Sequence, residues 1–278
     1  MTATTTTVSD RSPHELWVCH LGVVPYREAL AMQEAIRARR QAGELPDTLL
    51  LLEHPPVYTR GRRSRPEELA LGEGFYAARD IEVIPTDRGG RVTYHGPGQL
   101  VGYPIMAAPD VLAHLRGLED AIVAALAQEE IQAHSRPQDG ADYTGVWVED
   151  RKIASLGVHV ARGISTHGFA VNVENDLEPF SWIVACGLPD VAMTSIARER
   201  GEADMSRFRE RVARWVGQVF GRRERAVSPQ QLGIRAAGLP RTARAPRTDA
   251  PSAAAHAGAA ADIGAPAARL QAATAVPA

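Results

Sequence analysis

A cysteine and a lysine are the residues of this chain best suited, by type and setting, to do chemistry. Cys186 sits in the run FSWIVACGL and is followed by Gly187, Leu188 and Pro189, so its thiol belongs to a strand end or turn where it can be reached. Cys19 lies inside the apolar run LWVCHLGVV, the setting of a buried, structural thiol. A free thiol, with pKa near ~8.5, needs a base or a cation beside it to act as a nucleophile at neutral pH. Lys152 is the favoured partner. It begins the strand-like KIASLGVHV in a chain whose basic residues are overwhelmingly arginine, and an amine can lose a proton that a guanidinium keeps. The plain alternatives are a packing cysteine and a solvent-facing lysine after a hairpin turn. His95, His159 and His167 offer the rival pairing of Cys with His.

A second constellation, RGGRVTYHGPGQLVGYPI over residues 88–105, supplies groups to hold a ligand. Gly89 and Gly90 let backbone N–H groups lie open, with Arg88 and Arg91 on either side. After Val92, the residues Thr93, Tyr94 and His95 alternate across a short strand, so some of them face the gap. Further on, Ser155, Leu156 and Gly157, and then Gly168, Phe169 and Ala170, bring small residues to neighbouring strands, which leaves space for a narrow apolar chain. The bland reading of residues 88–105 is a β-hairpin with glycine turns.

The elements that must position these residues follow from periodicity. Residues 16–24 read as a strand, and Pro25 opens a helix over about 26–40 with Tyr26, Ala29, Leu30, Gln33 and Ile36 or Arg37 on one face. Residues 48–54 form a buried strand stopped by two prolines. His54 there is as much a packing histidine as a site residue. Residues 59–78 suggest a mobile loop near the site, with a short helix from Pro66. The strands IEVIP, RVTYH and QLVGYPI then follow one another with short turns, as in an antiparallel or mixed sheet. Asp110 caps a helix over about 111–130 that buries Leu112, Leu115, Leu118, Ile122, Leu126 and Glu129 or Ile131. Residues 144–173 read as a three-stranded meander, MTSIARE as one more strand, and residues 204–220 as a closing helix through Phe208, Val212, Trp215 and Val219.

The 278 residues, 45% of them hydrophobic, can bury a full core. A net charge of -2 argues against a nucleic-acid-coating protein or a polybasic membrane binder. Two distant cysteines without metal-ligand spacing make a disulfide framework or a metal site unexpected, and a reducing cytoplasm is the default. No apolar run approaches a membrane span, and the threonine-rich start lacks the plan of a secretory signal. The expected layout is a disordered leader over 1–14, one α+β domain over 15–220, and a disordered Ala/Pro/Arg-rich tail over 221–278.

Residues 88–105, the meander from Gly145 and the ACG at 185–187 together resemble the octanoyltransferase family of lipoate biosynthesis, the lipoyl(octanoyl) transferases, over about residues 16–220. The resemblance implies a mixed β-sheet flanked by helices, related to the catalytic domains of biotin and lipoate protein ligases. It also implies a reaction without metal or cofactor: octanoyl transfer from octanoyl-acyl carrier protein to a lysine of lipoyl domains, in 2-oxoacid dehydrogenase complexes and the glycine cleavage H protein. By this match Cys186 carries the acyl group as a thioester, Lys152 lowers the thiol's pKa and handles protons, and residues 88–95, 155–157 and 168–170 bind the acyl substrate. A monomer with no nucleic-acid or membrane partner is expected. Arg60, Arg62, Arg63 and Arg65 form a candidate docking patch for the acidic macromolecular substrates. The rival readings are an ATP-dependent lipoate or biotin ligase, which needs no nucleophilic cysteine, and a non-catalytic acyl-carrier-binding module.

Overall fold

The structure, a computed structural model, describes residues 14–188 and 191–234, with the side chain of Cys186 outside that description. All of these residues fall in one compact unit; a second unit, 243–278, lies wholly outside them, as do residues 1–13 of the expected leader. The chain opens with β1 (Glu15–Val23), α1 (Tyr26–Gln41), β2 (Asp47–Glu53), β3 (Val57–Arg60), α2 (Glu73–Ala77), β4 (Glu82–Pro85), β5 (Val92–His95) and β6 (Gln99–Ile105). After α3 (Val111–Ala127) come β7 (His134–Ser135), β8 (Gly145–Val148), β9 (Arg151–Ala161), β10 (Ile164–Asn172), α4 (Ile196–Arg200), α5 (Met205–Val219) and β11 (Arg223–Ala226).

Eight strands form one mixed sheet in the order β11-β1-β2-β6-β10-β9-β8-β7, with β1 parallel to β2 and β11 and the other pairs antiparallel. Period-2 alternation assigns its two faces. Leu49, Leu51 and Phe169 pack with Leu118, Ile122, Phe208 and Val212 of α3 and α5, whereas Leu50, Leu52, Val101 and Ala170 pack with Ala29 and Ile36 of α1. The sheet is thus buried on both faces.

A second, three-stranded sheet, β4-β3-β5, stands apart from the first. This corrects the expected run of adjacent strands: β4 and β5 each pair with β3, and β5 does not form a hairpin with β6. The Gly-Pro-Gly between them is a crossover from one sheet to the other. Gly98 has φ +83°, its N–H donates to Glu53 Oε2 at 2.7 Å, and a Cβ there would meet the Asn175 backbone at 2.8 Å.

Four further expectations are corrected. Residues 57–60, the last two of which open the expected polar loop, form the central strand of the small sheet, tied in on both sides. MTSIARE contains helix α4, capped by Ser195, whose side chain accepts from the Arg198 N–H. Leu112 of α3 is 61% exposed, while His114 and Glu119 are buried in its place. The tail does not begin at 221: β11 pairs with β1, and Leu232 and Ile234 are buried against the α1 side of the core. Residues 235–278 of the expected tail lie outside the described residues.

Candidate active site

The two sheets enclose a pocket with about 580 Å³ of empty space, open solvent at its mouth included. β5 contributes from the small sheet, and β6, β9 and β10 from the large one. Strand alternation sorts the residues of β5. Thr93 and His95 line the pocket, while Val92 and Tyr94 pack on the other face, where Tyr94 meets Tyr58 and Phe180 at ring distances of 5.5 and 5.4 Å. Ser155, Leu156 and Gly157 of β9 pair with Ala170, Phe169 and Gly168 of β10, and all six line the pocket.

The arginine-glycine loop closes over this pair of strands. Gly89 donates its N–H to the Val158 carbonyl at 2.9 Å, so that N–H is already engaged, and Gly90 reaches the pocket wall. Buried Arg88 donates from Nη2 to the Thr59 carbonyl and hydroxyl at 2.6 and 2.7 Å. Arg91 pairs with Glu68 at 2.8 Å and approaches Asp142, which also holds Arg63 at 2.9 Å. Thr93 presents a buried hydroxyl that makes no hydrogen bond among the described residues.

Lys152 is 1% exposed, which removes the alternative of a solvent-facing lysine. Its Nζ stands 5.2 Å from the Trp147 ring centroid and 3.1 Å from where a Cβ on Gly145 would be, and it lines the pocket. Among the described residues no carboxylate pairs with it. Its backbone is tied on both sides to the segment that follows the cysteine turn: Lys152 N–H donates to Ala192 O at 2.9 Å, and Thr194 N–H donates to Lys152 O at 3.0 Å.

The cysteine itself lies in a single 3-10 turn, Ala185–Gly187, anchored at its start by Val184 N–H donating to Glu68 O at 3.0 Å. Gly187 abuts the Arg91 side chain, so this turn packs against the pocket mouth. The turn therefore approaches the pocket beside Arg91, and the segment leaving it is bonded to Lys152. Cys19, by contrast, is fully buried in β1, and burial pushes its thiol up to about 11.

The three histidines separate by their partners. His95 is bonded at both nitrogens, to Gln99 Oε1 at 2.8 Å and Thr59 Oγ1 at 3.3 Å, and burial holds it neutral, well below its usual pKa. His167, with φ +57° and its N–H donating to Gln33 Oε1 at 2.6 Å, places Nε2 on Asp87 at 2.7 Å and Nδ1 3.4 Å from the Tyr26 hydroxyl. Burial lowers the His167 pKa despite the carboxylate, so the neutral ring donates to Asp87. That hydrogen bond holds the Asp87 carboxyl down at about 2. His159 is less intimate, 3.5 Å from the same carboxylate. His54 is a fully buried packing residue joining Val24 O and the Tyr103 hydroxyl, with burial lowering its pKa to about 4.

Sequence reasoning did not single out Tyr103, Asp142 or Thr144, which line the pocket, nor Asp87 beside His167. Tyr26, placed only on a core-facing helix stripe, also lines it. A buried tyrosine at the start of a helix carries no local mark of a pocket; the signal lies in the packing of α1 against β10.

Residues 25–217 match the family model for the lipoyl protein ligase A/B catalytic domain. An octanoyltransferase of Caldicellulosiruptor saccharolyticus is 42% identical over 224 residues, 78% of this chain and 94% of the relative. An octanoyltransferase of Acidothermus cellulolyticus is 48% identical over 191 residues, 66% of this chain and 81% of the relative. Among solved structures, lipoate-protein ligase A bound with ATP aligns with TM-score 0.67 at 18% identity, over 79% of this chain and 92% of that one. A bi-partite lipoate protein ligase from Thermoplasma acidophilum aligns with TM-score 0.64 at 18% identity, over 80% and 90%. The structural likenesses share the mixed sheet flanked by helices. The sequence matches assign the chemistry class: this chain belongs to the octanoyltransferases, acyltransferases with the lipoyl protein ligase A/B catalytic domain.

Proposed function

We propose that the chain moves an octanoyl group from octanoyl-acyl carrier protein to the ε-amino group of a lysine on lipoyl domains, through a thioester on Cys186, in the cytoplasm. The acceptors are those of 2-oxoacid dehydrogenase complexes and the glycine cleavage H protein. The observation that carries this reading is the fully buried amine of Lys152 in a pocket whose other walls include Leu156, Phe169 and Ala170. Lys152 to Gly157 spans five residue steps along β9, about 16 Å of strand, which accommodates an extended eight-carbon chain.

In the first step the amine of Lys152 takes the thiol proton and the Cys186 sulfur attacks the donor carbonyl. A carbon–sulfur bond forms, the donor's breaks, and the departing thiolate recovers the proton from Lys152. One thioester replaces another, so the step is near balance and needs no ATP. In the second, the acceptor amine attacks the same carbon, Cys186 leaves as thiolate, and the proton released from nitrogen returns to it. The stable amide drives this step. The unpartnered Thr93 hydroxyl is a donor available to the acyl oxygen, of the kind that contributes ~3 kcal/mol in other acyl transfers.

Arg62 and Arg65 are exposed on either side of Arg63, which lines the pocket, and no carboxylate pairs with Arg60, Arg62 or Arg65 among the described residues, whereas Arg63 is held by Asp142. We assign the free three to docking of the acidic carrier protein. Charge reversal at Arg62 and Arg65 should raise KM for carrier-bound donor and leave a small octanoyl thioester unaffected; equal effects on both would remove this role.

The overall reading is tested by intact-protein mass spectrometry after mixing with octanoyl-acyl carrier protein. An octanoyl adduct labile to hydroxylamine and absent in Cys186→Ser is expected. No adduct, with activity that requires free octanoic acid and ATP, would assign the chain to ligase chemistry.

A further inference from the structure

Two fully buried carboxamides, Gln99 and Asn172, lie beneath the pocket without lining it. Packing alone would be served by apolar residues, since a buried polar group costs stability unless each of its atoms is matched. Here the matching is directional. Thr59 Oγ1 accepts from Arg88, which leaves its hydrogen for His95 Nε2; His95 Nδ1 then donates to Gln99 Oε1. Gln99 Nε2 donates to Asn172 Oδ1 at 2.9 Å, and Asn172 Nδ2 donates to the Thr194 carbonyl at 3.0 Å. Thr194 N–H in turn donates to the Lys152 carbonyl. Each side-chain assignment forces the next, so the relay has a single sense from the arginine-glycine loop to the Thr194 carbonyl, and the Thr194 backbone carries the tie on to the lysine.

The strand that carries Asn172 pairs with both β6 and β9, so this side chain is fixed to the most embedded part of the sheet. Thr194 lies in the segment leaving the cysteine turn, which main-chain bonds tie to Lys152 on both sides before Ala197 N–H reaches the Val173 carbonyl. We propose that Asn172 is a positioning residue for acyl transfer: by holding the Thr194 carbonyl it fixes the segment after the cysteine turn against Lys152, and through Gln99 and His95 it couples that placement to the arginine-glycine loop. The proposal rests on the transfer reading above for its catalytic consequence, and on the hydrogen-bond chain for its structural one.

Asn172→Asp is the sharpest variant, because it keeps size and can still accept from Gln99 but sets a carboxylate oxygen against the Thr194 carbonyl. Expected are a kcat at least tenfold lower with KM for octanoyl-acyl carrier protein within twofold, at least tenfold slower alkylation of Cys186 by iodoacetamide at pH 7, and at least tenfold faster amide exchange in residues 191–196, with exchange in α3 unchanged. Buried Cys19 does not contribute to the alkylation. Wild-type exchange in 191–196, or faster exchange with kcat and alkylation unchanged, would overturn the proposal. If Asn172→Asp does not fold, Gln99→Met, which removes one link and leaves the bond to Thr194, should change all three readouts in the same direction; wild-type values there would overturn it equally. Failure of the wild type to form an octanoyl adduct would sink the transfer reading instead, while the exchange measurement still decides whether Asn172 anchors the segment.

Discussion

Gly157 and Gly89 meet with no room between them for a methyl group: a Cβ on Gly157 would stand 2.8 Å from the Gly89 carbonyl oxygen. The central strand of the meander is therefore the seat on which the arginine-glycine loop rests, and a side chain there would lift the loop.

Gly157→Ala should accordingly weaken the enzyme without unfolding it. Overpacking of this kind costs about 1–3 kcal/mol, and a displaced loop would show as a loss of roughly 5- to 150-fold in kcat/KM for octanoyl-acyl carrier protein. Steady-state kinetics beside a thermal melt checks this; wild-type kinetics would mean that the loop yields freely.

Lys152→Met should separate catalysis from folding. Loss of the amine is expected to lower kcat by at least ~100-fold, the scale of a lost proton-transfer group. The Tm should stay level or rise, because a buried amine with no carboxylate partner among the described residues costs stability that a methionine over Trp147 does not. A Tm that fell with activity would mark Lys152 as structural.

Acid should destabilise the fold well before its carboxylates titrate. Burial lowers His54 and His114 from 6.5 to about 4. The unfolded chain takes up these protons below about pH 6.5 and the fold resists them until about pH 4. Stability is thus full above 6.5 and is lost between 6.5 and 4, up to about 3 kcal/mol for each imidazole. Both ring nitrogens of His114 lack partners among the described residues, and its ring lies 5.2 Å from Phe220, so His114→Phe loses no hydrogen bond and should flatten the fall of Tm over this range.

Residues 221–234 should prove part of the domain. Arg222 pairs with buried Asp47 at 2.9 Å, and Leu232 is 2% exposed, so Leu232→Ala is expected to cost about 2–4 kcal/mol in denaturant unfolding. A change near zero would return this segment to the tail.

What the sequence made legible was local. The meander, the three long helices and the motif residues around the glycines stand where periodicity and turn chemistry put them, and two of the three residues of TYH face the pocket as alternation requires. What it hid was the partition of strands between two sheets. VYTR is four residues long and follows two prolines, so it carries no period; only pairing on both sides makes it a strand. Gly-Pro-Gly looks like a hairpin turn from either flank, and the Glu53 carboxylate that marks it as a crossover lies 45 residues away. The directional chain from Arg88 to Lys152 was hidden for the same reason: each residue in it is an ordinary polar one until its distant partner is known.

β11 has one more effect. It forms one margin of the eight-stranded sheet with Arg223, Glu224, Arg225 and Ala226, all exposed, and the opposite margin, β7, is two residues long. Sheet margins are templates on which foreign strands grow, and charge or brevity spoils the template. The same strand that leads the chain back to the core thus guards the molecule against amyloid-like accretion from its broadest element.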